Sequence, residues 1–292
     1  MVILLGLAAA VLYGTGDFLG GLATRTVPVL AVLLLAETAG VTVALPAAAL
    51  GPGPARPAGL AWGISAGLIG GAGLIIFYNG LAAGPMSVVA PVSGLVSTIL
   101  PVAVALAEGE RPTAMVYAGA LLCLAAIVLA SSAGDSNTTR RPGAVPEPRR
   151  PGASRALGYG IASGASFGLF FLLIRNAGQS GELWPVAAGR IGELAVVLVA
   201  AAVLRRSLLP QQAGRQPLLL LAAAAAGAID VVANICYVAA TRTGKFGLAV
   251  VLASLYPGIT VLLARSALGE RLGRVQRIGL GLAAIGIILV TA

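Results

Sequence analysis

Histidine is absent from the 292 residues, and only two cysteines, one lysine and ten acidic residues occur. Without histidine there are no Ser/His or Cys/His pairs of the kind most hydrolytic mechanisms use, and no usual zinc or iron cluster. Cys123 and Cys236 fall inside apolar stretches and read as packing residues. An enzyme is therefore not expected, nor a metal or other cofactor. Charged residues make up 10% of the chain and hydrophobic ones 58%, a balance foreign to a soluble domain. The short alternating segments of a membrane β-barrel are missing too. The first apolar segment has no basic leader and no clear cleavage site, so it reads as a retained span rather than a signal peptide. The net charge of +9 comes with no aromatic-interleaved basic face, which argues against nucleic acid as a partner.

What the chain does have is long hydrophobic runs. A hydrocarbon core about 30 Å thick takes roughly 20 apolar residues per helical crossing. Runs of that length lie near residues 2–22, 28–50, 58–82, 86–107, 113–133, 156–175, 183–204, 217–240, 246–268 and 276–292. The expected fold is all-α and polytopic, with ten transmembrane helices. The polar stretch around 134–155, rich in Pro and Arg, cannot bury a core and divides the spans into two sets of five. The expected units are 1–133, a linker over 134–155, and 156–292.

A shift of 160 residues pairs Gly84 with Gly244, Leu95 with Leu255, Ile99 with Ile259, and Gly109-Glu110-Arg111 with Gly269-Glu270-Arg271. The triplet carries the most weight, because it falls in the short connection between the fourth and fifth spans of each half. An odd number of spans per repeat makes the second copy enter from the opposite side. Inverted repeats of this kind are a transporter arrangement.

With this layout go the first-span stretch Tyr13-Gly14-Thr15-Gly16-Asp17-Phe18 and the second-half stretch Ser254-Leu255-Tyr256-Pro257. Leu268-Gly269-Glu270-Arg271, Gln276, Ile278-Gly279 and Gly286 follow in the final hairpin. In this order the chain resembles, over nearly its whole length, the ten-helix EamA-like proteins of the drug/metabolite transporter superfamily. The resemblance implies a secondary carrier for small metabolites such as amino acids or related compounds, with no ATP-hydrolysing domain. Asp17 stands where a neutral residue is expected.

Gly59, Gly63, Gly67 and Gly71 recur every four residues, as do Gly160, Gly164 and Gly168, leaving bare helix faces for close packing that is compatible with sliding. Pro91, Pro101 and Pro257 interrupt the fourth and ninth spans and mark them as candidate cavity walls. Charged groups in hydrocarbon cost roughly 2.5–3.5 kcal/mol each on insertion scales, so each asks for a partner or a purpose. Asp230, Asn234 and Tyr237 share one helical face, as do Tyr13 with Asp17, and Arg190 with Glu193. Together with Tyr78, Asn79 and Tyr256 they form the candidate substrate site. Arg190 has a fork suited to a substrate carboxylate or an internal one. Four ionised acids against one Arg would not persist at low dielectric without protonation or a bound cation. Asp230, Glu37, Asp17 and Glu193 are accordingly the candidate proton carriers.

Rival readings are a lipid or isoprenoid flippase of the same fold and a non-transporting subunit docking through the Arg-rich linker. A channel lacks support, since no repeated filter-like segment appears. The Arg-over-Lys bias, with abundant Ala and Gly, points to a GC-rich genome and a bacterial plasma membrane. The partners expected are a small solute and the bilayer, and a monomer is compatible with the pattern. Loops on the side opposite the termini hold 13 basic residues, against five on the side of the termini. By the positive-inside rule both ends lie outside, whereas the family resemblance implies ends inside. On the charge count, a fluorescent reporter that glows only in the cytoplasm stays dark when fused after Ala292; a bright fusion reverses the orientation.

Overall fold

The computed structural model describes residues 1–83, 86–111, 153–180, 183–204 and 217–268, with scattered positions between 113 and 129 and between 275 and 289. The described helices are α1 (Val2–Ala23), α2 (Val29–Leu50), α3 (Pro57–Ala83), α4 (Met86–Ala107), α5 (Ala153–Ser180), α6 (Trp184–Val203), α7 (Pro217–Thr241), α8 (Phe246–Ala253) and α9 (Tyr256–Leu268). There is no strand among the described residues. Among the described residues, eight crossings are long and apolar enough to span a bilayer, the last of them made of α8 and most of α9 together, over Phe246–Ala264. Most of the expected fifth and tenth spans, most of the linker, and the Gly269-Glu270-Arg271 triplet lie outside the described residues.

The distribution of side chains is that of a protein dissolved in lipid. Leu4, Val199 and Leu221 are exposed while Arg190, Glu37 and Glu193 are buried, an inversion that only an apolar solvent tolerates. Pro257 explains why the last crossing is broken. It lacks the N–H that would bond to the carbonyl of Ala253, and α8 ends at that residue. Two tight turns bridge the gap, with Leu255 N–H donating to Leu252 and Gly258 N–H to Leu255. Helix α4 carries Pro91 and Pro101 without breaking. A Cβ on Gly94 of α4 would run into the Pro257 ring, so the two proline-bearing crossings meet there.

The helices pack mainly across the two halves. Helix α3 lies against α5 and α6, α1 against α7, α2 against α6 and α7, and α4 against α5. Exchanging α1 with α5, α2 with α6, α3 with α7, and α4 with the α8–α9 pair reproduces this set, down to the contacts of α1 with α8 and α9. The halves are therefore related by a pseudo-two-fold operation. Its sense follows from the register of the glycines. Gly160, Gly164 and Gly168 of α5 meet Val92, Ser93 and Ser97 of α4 in ascending order, so α4 and α5 run parallel. Gly70, Gly73 and Gly80 of α3 meet Phe170, Phe167 and Tyr159 of α5 in descending order, so α3 and α5 run antiparallel. The chain has thus returned to the face it left between Ala107 and Ala153, and the second repeat enters inverted.

The bare faces permit these approaches. A Cβ on Gly67 would overlap the Gly189 carbonyl of α6, and one on Gly71 would lie 3.0 Å from the Glu193 Cα. One on Gly158 would meet nothing within 4 Å. Because backbone cannot retreat as a flexible side chain can, Gly67→Ala is expected to cost about 1–3 kcal/mol. Gly158→Ala is expected to leave the melting temperature of the detergent-solubilised protein near that of the parent. Equal effects of the two substitutions would contradict the close α3–α6 approach.

Candidate functional site

Four helices bring their polar stripes to one point. Arg190 of α6 donates from Nη1 to Oε2 of Glu37 on α2 at 3.1 Å, and from Nη2 to Oδ2 of Asp230 on α7. The same Nη1 is 2.8 Å from Oε2 of Glu193, one turn along α6, an ion-pair distance without hydrogen-bond alignment. Asn234 follows Asp230 by one turn. Its Nδ2 donates to Asp230 Oδ2 at 2.9 Å, and its Oδ1 accepts from the Tyr13 hydroxyl of α1 at 2.9 Å. A continuous polar chain therefore runs Tyr13, Asn234, Asp230, Arg190, Glu37, with its two ends in the first repeat and its middle in the second.

Beside this chain is a cavity of about 40 Å³, room for a few waters at roughly 10–15 Å³ each. Both repeats supply its walls: Tyr13, Asp17, Gly70 and Leu74 from the first, and Phe167, Phe170, Phe171, Arg190, Glu193, Asp230, Asn234 and Tyr256 from the second. Tyr13 packs edge-on against Phe171 at 5.9 Å and against Tyr256 at 6.2 Å. Asp17 and Glu193, whose spacing also allows a position near the membrane surface, lie at this cavity.

Three residues of the expected site sit elsewhere. Asn79 turns its amide back onto its own helix, donating to the Ile75 carbonyl at 2.6 Å. The Tyr78 hydroxyl fills the space a Cβ on Gly20 would take. Tyr237 is fully buried, donating to the Phe171 carbonyl at 3.3 Å and packing on the Phe171 ring at 4.8 Å. It supports the aromatic wall from behind. The wall itself, Phe167, Phe170 and Phe171, was not anticipated. Three of the six phenylalanines in the chain fall within five residues, and that crowding is the signal that marks it.

A second polar cluster, also not anticipated as a unit, lies at one face. Helix α4 ends in a Schellman motif, with Gly109 N–H donating to Leu106, Glu110 N–H donating to Ala105, and Gly109 at φ +93°. That turn aims Glu110 at the start of α8. Its carboxylate accepts from Phe246 N–H at 2.8 Å and Gly247 N–H at 2.9 Å, where a helix N-terminus favours negative charge. Alongside, Arg175 of α5 grips Glu108 bidentately at 2.9 and 2.6 Å and lies 3.9 Å over the Phe246 ring. Val2, Ala240 and Ala249 cluster together, which places this cluster on the face where α1 begins. The Arg175 guanidinium holds the Glu108 carboxyl below the ordinary carboxylate range. Cys236 is half-buried and unpaired in a disulfide, and the described residues contain no group of three metal-binding side chains.

The chain was compared with known proteins. The model of the EamA-like transporter family matches residues 1–132 and 154–292. One crystal structure superposes with a TM-score of 0.72 at 20% identity, covering 99% of this chain and 96% of its own, a likeness that shows the fold alone. No curated protein matches.

Removing one partner of a buried ion cluster leaves the others uncompensated, which typically costs about 3–5 kcal/mol. Arg190→Ala is expected to lower stability by that amount in thermal melts of the solubilised protein. Asn79→Ala, which removes only a bond within its own helix, is expected to change it little.

Proposed function

The chain belongs to the EamA-like transporter family, whose members carry small solutes across membranes, and from that premise we propose a proton-coupled secondary carrier of amino-acid-like or related metabolites. The observation that supports this reading most directly is the half-open cavity, walled by both inverted repeats and lined by a buried ionic network. A solute held there contacts both halves at once. A rocking of one half against the other then exposes it to alternate faces. Tyr13, Asp17, Arg190, Asp230, Asn234 and Tyr256 form the substrate site in this proposal, with Tyr237 behind them. Tyr78 and Asn79 lie off the cavity and are left out of it.

In this reading the Glu108–Arg175 pair and the Glu110 cap seal one face and must part when that face opens. Both join the end of α4 in the first repeat to helices of the second, which a rocking motion would separate. Coupling follows from charge. Glu37, Glu193 and Asp230 surround one guanidinium, and Asp17 adds a fourth acid, so a proton or cation is needed to balance the chamber. Asp230 and Glu37 are the carriers we favour, with Asp17 and Glu193 in support. Residues 1–133 and 156–292 act as the two moving halves joined by the 134–155 linker, in the plasma membrane of a bacterium.

The test is transport by purified protein in liposomes, using radiolabelled amino acids, sugars and organic amines. At least one solute is expected to accumulate faster under an imposed pH gradient, and Asp230→Asn to abolish that response. No response to gradients of either direction would discard proton coupling. The two polar clusters also differ in their expected pH dependence. Because the Glu108 value is depressed, the seal is fully present above the ordinary carboxylate range and is lost only as pH falls through the lowered value. Glu108→Gln is therefore expected to keep the shape of the pH–rate profile near neutrality.

A further inference from the structure

In this conformation the central cavity of about 40 Å³, with room for a few waters, is too small to hold an amino acid. A second, half-open pocket of about 350 Å³ lies at the rim, within the range of roughly 300–1,000 Å³ usual for small-molecule sites. Its walls include Glu110, Arg175, Thr241, Arg242 and Phe246.

Helical spacing puts the two spaces in line. Arg175 follows Phe171 by four residues on α5, and Thr241 follows Tyr237 by four on α7. Phe171 lines the central cavity, its ring packs on Tyr237 at 4.8 Å, and its carbonyl accepts from the Tyr237 hydroxyl at 3.3 Å. A single aromatic layer, about one helical turn or 5.4 Å deep, therefore separates the rim pocket from the chamber.

The rim guanidinium differs from the buried one in what holds it. Glu37 and Glu193 beside Arg190 are 2% and 3% exposed, and displacing either would strand a charge in a low-dielectric interior. Arg175 is gripped by Glu108, which is 47% exposed, and its own Nε is buried without a hydrogen-bond partner. An incoming carboxylate can take the same fork while Glu108 swings into water. The Phe246 ring, 3.9 Å from the guanidinium, keeps Arg175 in place during that exchange. Each oxygen of Glu110 accepts one backbone N–H of α8, which leaves lone pairs for an ammonium and a charge that repels a doubly charged anion.

We propose, resting on the carrier reading, that the rim pocket is a waiting site for an amino-acid-like zwitterion, its carboxylate on Arg175 in place of Glu108 and its ammonium toward Glu110. The Glu108–Arg175 pair ties the end of α4 to α5, so the solute that takes Arg175 removes one of the ties across this face. Arrival of the solute thereby begins the opening of the face at which it arrives.

The test is calorimetric titration of norvaline into the intact protein in detergent, with inorganic phosphate and n-butylamine as the other probes. Norvaline is expected to bind saturably, and phosphate and n-butylamine to bind more weakly. Glu108→Gln removes the internal competitor and is expected to tighten norvaline binding by about two- to fivefold, the worth of an exposed ion pair. Arg175→Gln is expected to weaken it by about tenfold or more, the loss of a charge-assisted contact. A pair that only braced the rim would not give opposite signs. The proposal is overturned if norvaline does not bind, if phosphate or n-butylamine binds as tightly, or if Glu108→Gln leaves the affinity unchanged or lowers it. Should Arg175→Gln fail to fold, Glu108→Gln, altered at a half-exposed side chain, still decides. Binding in micelles requires no movement across a bilayer. Norvaline that binds in the expected pattern but never crosses in liposomes supports the rim site and counts against the carrier reading. Transport of norvaline by Arg175→Gln with the KM of the parent overturns the rim site and leaves the carrier reading standing.

Discussion

One guanidinium buried among three helices constrains everything else in this molecule. Arg190 cannot be left alone in a lipid-surrounded core, so Glu37, Glu193 and Asp230 must be brought to it, and each comes from a helix face that has to fit. The demand is geometric before it is energetic. Buried ion pairs of this kind add little net stability over an apolar core, while losing one partner is expensive. Their effect is to fix which helices meet, and at what height. In a membrane, where helix association gains nothing from expelling water, that specification matters more than it would in a soluble protein.

The glycine faces are the complement of this constraint. Helix α6 reaches α3 closely enough to hold Arg190 and Glu193 at the centre only because Gly67 and Gly71 offer no side chain. The same device recurs between α4 and α5, where the Ser97 carbonyl, freed by Pro101, lies against Gly168. Interfaces made of backbone and small residues carry few interdigitated knobs. In an inverted-repeat protein such smooth contacts suit two arrangements of nearly equal energy. The Schellman turn at Gly109 and the Glu110 carboxylate on the α8 N-terminus supply the opposite, a directional latch at one face. In the carrier reading, smooth interior contacts and a polar contact at the rim suit an element with two positions.

The chamber divides its chemistry between the network and the wall. The network engages Arg190 internally, leaving Asp17 facing the cavity beside the aromatic wall. Electrostatics at this depth is decided by which charges are already answered, not by which residue types are present. By residue type Arg190 suits a substrate carboxylate or an internal one; in this conformation its terminal nitrogens meet Glu37, Glu193 and Asp230.

How much of this was legible without coordinates depends on distance along the chain. Hydrophobic runs, the proline interruptions and the duplicated Gly-Glu-Arg triplet are local or periodic, and they gave the positions of the eight described spans, the break at Pro257 and the inversion of the second repeat. Helical spacing likewise put Asp230 with Asn234, and Arg190 with Glu193, on common faces, because a turn of 3.6 residues fixes which side chains are neighbours. Rotation of one helix about its axis relative to another is not written in any single segment. That is why Tyr78, plausible by type, lies against Gly20 of α1 while Asn79 bonds within its own helix, and why the Phe167–Phe171 wall and the Glu108–Arg175 pair went unrecognised. The sequence by itself determined the solvent, the crossings and the repeat; only tertiary packing decided which carboxylates answer Arg190 and which is left over. Those pairings join residues up to 153 positions apart, and their geometry depends on how four helices settle against one another at once.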